Sequence, residues 1–254
     1  MEVGTRSRLE KACGRVYDGL QPKTLVILSL DTTTRGGSVA VIRDAELLAL
    51  VPGDATRSHS ERLPGEIETA LAQAGVQRQH LDLLAVATGP GAFTGLRIGL
   101  AAMQGLAMTL NRPVIGVSAL DALAAEVTGV PFVAPWMDAQ RGEAFASLVD
   151  LASGLTLESP LAGAPAGILE AWRGHLEGHA AVFIGDAAER DAALIAAAGA
   201  GKWATRTPPP LAPALARIAG LRAAQGEAGL PHQLTPIYVR RPDVEIERQR
   251  RARS

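Results

Sequence analysis

Three apolar runs follow one another closely: Thr24-Leu25-Val26-Ile27-Leu28-Ser29-Leu30, Ser38-Val39-Ala40-Val41-Ile42 and Glu46-Leu47-Leu48-Ala49-Leu50-Val51. Each has strand length, and the connections between them are too short for the crossover that parallel neighbours need. They must pair antiparallel, as a three-stranded meander. The next segments change character. Leu63, Ile67, Ala70, Leu71 and Ala74 recur at helical spacing, which predicts a helix capped by Ser60 and stopped by Gly75, with His59 outside it. Leu83 to Ala87 is a short continuous apolar run suited to a buried parallel strand. Gly89-Pro90-Gly91 then turns the chain into a helix over about Phe93 to Leu110, followed by a strand from Pro113 to Val117 and a helix over 119–127. The order βββαβαβ specifies an α/β unit with a mixed sheet flanked by helices.

The plan restarts in the second half. Arg35-Gly36-Gly37-Ser38-Val39-Ala40-Val41-Ile42-Arg43-Asp44 matches Arg141-Gly142-Glu143-Ala144-Phe145-Ala146-Ser147-Leu148-Val149-Asp150 in residue class at most columns. An aspartate precedes each copy within four residues, Asp31 and Asp138, at the end of an apolar run. Internal duplication predicts two related lobes. The second would continue with a helix near 165–173, a strand Ala181 to Ile184 ending at Gly185-Asp186, a helix over 187–198 and, after Pro208-Pro209-Pro210, a helix over about 211–225.

Composition removes several classes of function. The chain has 254 residues, with 25 Lys and Arg against 26 Asp and Glu, so no chain-wide basic field holds nucleic acid. Its single cysteine, Cys13, forms neither an internal disulfide nor a thiolate metal cluster. No run approaches the ~20 apolar residues of a membrane span, and the charged first 22 residues lack the apolar run of a signal peptide. The expectation is a cytoplasmic protein without membrane contact.

Two segments offer chemistry. The string Gly89-Pro90-Gly91-Ala92-Phe93-Thr94-Gly95-Leu96-Arg97-Ile98-Gly99 places a glycine turn before a helix N-terminus, whose free N–H groups and dipole suit a phosphate. The same glycines equally serve tight turning and close helix approach. The spacing fits neither a P-loop nor a dinucleotide fingerprint. Asp31-Thr32-Thr33-Thr34 puts a carboxylate and three hydroxyls at a strand end, where they suit a nucleotide and its metal or the turn's own backbone groups. His175 and His179 have ligand-like spacing, but two glycines lie around them, which favours solvated loop imidazoles. No nucleophile, base and orienting group can be assembled from spacing.

Taken in order, Leu30-Asp31-Thr32-Thr33, His59-Ser60-Glu61, the Gly89 to Gly99 string, Gly116-Val117-Ser118-Ala119-Leu120 and Met137-Asp138-Ala139-Gln140-Arg141-Gly142-Glu143 resemble the TsaB (YeaZ) family. The resemblance runs over about 24–150, with weaker agreement at Gly185-Asp186 and Pro236-Ile237-Tyr238-Val239-Arg240. It implies a two-lobed actin-like, Hsp70-like and sugar-kinase (RNase H-like) fold. The lobes would be 23–128 and 129–241, the last helix packing back on the first, with an unstructured extension over 1–22 and an Arg-rich tail over 242–254.

It also implies a non-catalytic partner of TsaD in the machinery that makes N6-threonylcarbamoyladenosine at position 37 of tRNA. TsaE would join as an ATPase, tRNA would be met indirectly through the complex, and a homodimer would form in isolation. In TsaD-like chains two histidines bind the metal; Ala119 and Leu123 stand at those places here. No cofactor is then required, and ATP or ADP would bind weakly at a vestigial site of Asp31, Thr32, Gly89 and Gly91. The implied docking face lies on the two first-lobe helices, at Leu63, Ile67, Gly95, Gly99, Ala102 and Met103. Two alternatives stand beside this reading: a kinase-like or ATPase enzyme using Asp31, Thr32 and the glycine loop, and direct RNA contact through Arg240, Arg241, Arg248, Arg250, Arg251 and Arg253.

Overall fold

The computed structural model describes residues 24–227 and 229–240. The extension over 1–22 with Cys13, and the tail over 242–254, lie outside the described residues. The meander forms as β1 (Val26–Asp31), β2 (Ser38–Arg43) and β3 (Glu46–Pro52). Strand β4 (Leu83–Gly89) pairs parallel with β1, Leu28 opposite Leu84, and β5 (Val114–Ser118) pairs parallel with β4. The order is β3-β2-β1-β4-β5. A second sheet contains β6 (Phe132–Asp138), β7 (Ala144–Asp150), β8 (Leu155–Gly163), β9 (Ala181–Ile184) and β10 (Trp203–Arg206), in the order β10-β9-β6-β7-β8. Read from β6, this repeats the first sheet strand for strand and direction for direction.

Alternation of side chains across each strand assigns the faces. Leu28, Leu30, Val39, Val41, Leu84 and Val86 pack beneath α1 (His59–Ala74) and α2 (Phe93–Leu110). Their neighbours Ile27, Ile42, Leu83, Ala85, Ile115 and Val117 face the middle of the molecule. There α3 (Ala119–Ala124) and α7 (Ala212–Ala224) lie between the two sheets, in one cluster that also takes Val133, Met137, Phe145, Val182 and Ile184 from the second. The outer face of that second sheet, with Trp136, Leu148 and Phe183, is covered by α4 (Pro165–Leu176), α5 (Asp186–Arg190) and α6 (Ala192–Ala198). Helix α7, the last α-helix among the described residues, lies on β1, β2, β4 and β5 of the first sheet. Two buried serines fix its start: Ser38 Oγ accepts from Ala212 N–H at 3.1 Å, and Ser29 Oγ donates to the Ala212 carbonyl at 2.7 Å.

Several expectations need correcting. Helix α1 is capped by Ser58, two residues before the expected Ser60, and His59 is its first residue. The reason is the spacing Ser58-x-x-Glu61, with the Glu61 carboxylate accepting from Ser58 N–H at 3.1 Å. Helix α3 ends at Ala124 rather than 127, and the expected helix over 187–198 is two helices broken at Asp191, whose carboxylate turns inward to accept from Trp136 Nε1 at 2.8 Å. Strands β8 and β10 carry little sequence signal because both are sheet edges.

Candidate functional site

The turn after β1 is organised by one carboxylate. Asp31 is 1% exposed; its Oδ1 accepts from Thr33 N–H (2.8 Å) and Thr33 Oγ1 (2.6 Å), and its Oδ2 from Thr34 Oγ1 (2.9 Å). Thr34 Oγ1 in turn accepts from Gly37 N–H at 3.1 Å. Burial pushes the Asp31 carboxyl above the usual carboxylate range, against the opposing pull of the Thr33 and Thr34 hydrogen bonds. The glycine string packs directly on this turn. A Cβ added at Gly91 would stand 2.5 Å from Thr33 Cβ, and one at Gly99 would collide with Thr32 Oγ1. Thr32 Oγ1 is buried without a hydrogen-bond partner. Gly89, at φ +110°, faces the Ile237 carbonyl, 2.7 Å from where a Cβ would be.

The structure therefore places Asp31, Thr32, Gly89 and Gly91 around the adjoining ends of β1 and β4, with Asp31 held by Thr33 and Thr34, Gly91 packed on Thr33 and Gly89 facing the Ile237 carbonyl. Beside them sits His59. Arg62 Nη2 donates to its Nδ1 at 2.7 Å, and the ring also bonds to the Thr34 backbone. Partial burial, then the neighbouring Arg62 guanidinium, hold the His59 pKa below the ordinary imidazole value. Arg62 is 5% exposed, pairs with Glu66 at 2.5 Å and donates to the Gly36 carbonyl. Sequence reasoning missed Arg62, because a charged residue at a helical position otherwise reads as a solvated face.

At the matching edge of the second lobe, Asp138 accepts from Arg190 Nη1 at 2.6 Å and from Gln140 Nε2 at 2.8 Å. Asp186 Oδ1 accepts from Asp138 N–H at 2.8 Å. His175 bonds Glu158 at 3.1 Å while His179 meets the edge of Phe132, so the two imidazoles serve different neighbours. Among the described residues no group of three or more His, Cys, Asp or Glu could hold a metal ion. Ala119 and Leu123, 0% and 1% exposed, sit in the central core.

The six residues expected to form a docking face fall into two groups. Gly95, Gly99 and Met103 are packed inside the lobe, Met103 among the core side chains and Gly95 and Gly99 against the Thr32 loop, and Leu63 is almost wholly buried. Ile67 and Ala102 are half-buried and line a groove of about 600 Å³ between α1 and α2. Its other walls are Leu63, Pro64, Gly65, Glu68, Arg78, Ala101, Gly105, Leu106 and Thr109. The rotation has a plain cause: positions 95, 99, 103 and 107 follow the sheet-facing stripe, whereas 98, 101, 102, 105 and 109 follow the next stripe round the helix.

Two lobes of identical sheet topology, each ending in an aspartate-bearing turn and sharing two helices between them, define the actin-like, Hsp70-like and sugar-kinase class of fold. A family model described as TsaD, tRNA N6-adenosine threonylcarbamoyltransferase, matches residues 46–154. An uncharacterized protein of Mycobacterium tuberculosis H37Rv is 33% identical over 221 residues, covering 86% of this chain and 93% of that one. The tRNA threonylcarbamoyladenosine biosynthesis protein TsaB of Haemophilus influenzae is 36% identical over 130 residues, 50% of this chain and 55% of that protein. The structure of YeaZ from Pseudomonas aeruginosa superposes with a TM-score of 0.67 at 29% identity, over 84% of this chain and 99% of that one. The chain is thus similar to TsaB over about half the length of that protein and to YeaZ over nearly all of it. No helix among the described residues is long and apolar enough to cross a membrane.

Proposed function

We propose that this protein is a non-catalytic partner subunit in the synthesis of N6-threonylcarbamoyladenosine on tRNA, and that it works by docking a TsaD-type transferase against the groove between α1 and α2. The carrying observation is that groove. Its lining is mostly apolar, with the small residues Gly65, Ala101, Ala102 and Gly105 among Leu63, Ile67 and Leu106, and the charged Glu68 and Arg78 beside them. Small residues let a partner helix approach closely, and an apolar lining of this size otherwise remains in contact with water. The buried Ala119 and Leu123 support the non-catalytic part, since the places where TsaD-like chains carry metal-binding imidazoles are here core positions. Asp31 supports it too, because Thr33 and Thr34 already occupy its carboxylate. A TsaE-type ATPase would join the assembly, tRNA would be held mainly by the transferase, and the groove would pair two copies of this chain when the partner is absent.

The test is co-purification with the TsaD-type subunit of the same genome, followed by a tRNA modification assay with and without this chain. Stable association, and modification that depends on the chain, are expected. ATP turnover by the isolated protein that disappears in Asp31→Asn would overturn the non-catalytic reading.

A further inference from the structure

After α7 the chain returns to the first lobe and runs along α2. Gln104 Nε2 donates to the carbonyls of Pro231 (3.0 Å) and Leu234 (3.2 Å), and Leu234 is buried in the core beneath α2. Ile237 N–H donates to the Thr88 carbonyl at 2.7 Å. The Tyr238 ring packs on Phe93, centroids 5.3 Å apart, and its hydroxyl accepts from Arg97 Nε at 3.0 Å while the Arg97 guanidinium lies 3.7 Å over the Phe93 ring. Phe93, Arg97 and Gln104 share one side of α2, distinct from the groove-lining positions. Two residues further on, the segment changes lobe. Arg240 Nη1 binds Glu143 Oε2 at 2.5 Å and Nη2 donates to the Ala139 carbonyl at 2.6 Å, both at the turn between β6 and β7. That turn holds Gln140, Arg141 and Gly142 at φ +64°, +55° and +77°, so two side-chain-bearing residues sit in the left-handed region.

We propose that Leu234–Arg240 is a clasp that couples the β6–β7 turn of the second lobe to helix α2, so that the order of a groove helix depends on a contact made in the other lobe. Arg240 braces a turn that its own backbone preferences do not favour, and the aromatic and Gln104 contacts carry that anchorage to the helix. Coupling of this kind needs a continuous chain of packed and hydrogen-bonded groups, and here each link is named. The proposal concerns the isolated chain and stands apart from the identity of any partner.

Hydrogen exchange on the full-length protein tests it. Arg240→Ala removes the second-lobe anchor and touches nothing on α2. In a variant whose circular dichroism shows it folded, amides of 93–104 are expected to exchange about three- to tenfold faster than in the parent, the scale set by a partly exposed charged hydrogen bond. Glu143→Gln, altering the same contact from the other side, is expected to move the same peptide in the same direction by no more than that. The double variant is expected to match Arg240→Ala rather than add to it. Faster exchange confined to 139–143 and 236–240, or fully additive effects, would overturn the clasp. If Arg240→Ala does not fold, Glu143→Gln alone decides between the two outcomes.

Discussion

At the scale of single residues, the glycines of the 89–99 string act mainly as space. Gly99 has room for no side chain against Thr32 Oγ1, so Gly99→Ala is expected to destabilise the fold by about 1–3 kcal/mol, read by urea denaturation. Loss of partner binding in that variant would therefore report packing rather than a lost contact. Thr32 supplies the complementary test. Its hydroxyl is buried without a partner, and Thr32→Val is expected to leave stability unchanged or slightly higher by the same measurement. His59 sets a pH dependence. Its folded pKa lies below the unfolded value, so the unfolded chain takes up the proton first as pH falls. The His59 contribution to stability is present above the unfolded value of about 6.5 and is lost as pH drops from there through the folded pKa. Melting temperatures recorded from pH 7.5 to 5 should show this decline, and His59→Gln should flatten it.

At the scale of elements, the first sheet and its two outer helices were legible almost entirely, because strand length, short connections and 3.6-residue periodicity all pointed the same way. The second lobe was less so. Strands β8 and β10 border solvent and lack a full apolar stripe, and a buried indole partner rather than a proline or glycine breaks α5 from α6. The candidate site was half legible. Its residues are neighbours as their strand-end positions implied, but which face of α2 is free depends on a rotation of about one residue, which periodicity does not resolve. The groove makes the difference measurable. Gly105 has no atom within 4 Å of an added Cβ, and replacing an exposed helical glycine raises helix stability by up to about 1 kcal/mol. Gly105→Arg should therefore melt at or above the parent temperature yet fail to co-purify with a TsaD-type subunit. Retained binding by that variant would place the docking surface elsewhere.

At the scale of the whole molecule, the core between the sheets is continuous, drawing Ile27 and Ile115 from one and Val133 and Ile184 from the other. Two lobes joined in this way should unfold together. The three tryptophans, Trp136, Trp172 and Trp203, all lie in the second lobe's outer core. Their fluorescence reports that lobe, whereas backbone circular dichroism reports both. The two urea transitions are expected to coincide; a separate fluorescence step would mean that the lobes melt independently. The place of α7 also governs the order of events during synthesis. The inner face of the first sheet, with Ile27, Ile42 and Leu83, is finished only when Ala212 reaches Ser29 and Ser38, more than 170 positions later in the chain. The amino-terminal half thus leaves the ribosome with an uncovered apolar sheet and must wait for almost the entire polypeptide, so a nascent chain stalled before α7 is a natural client for chaperones.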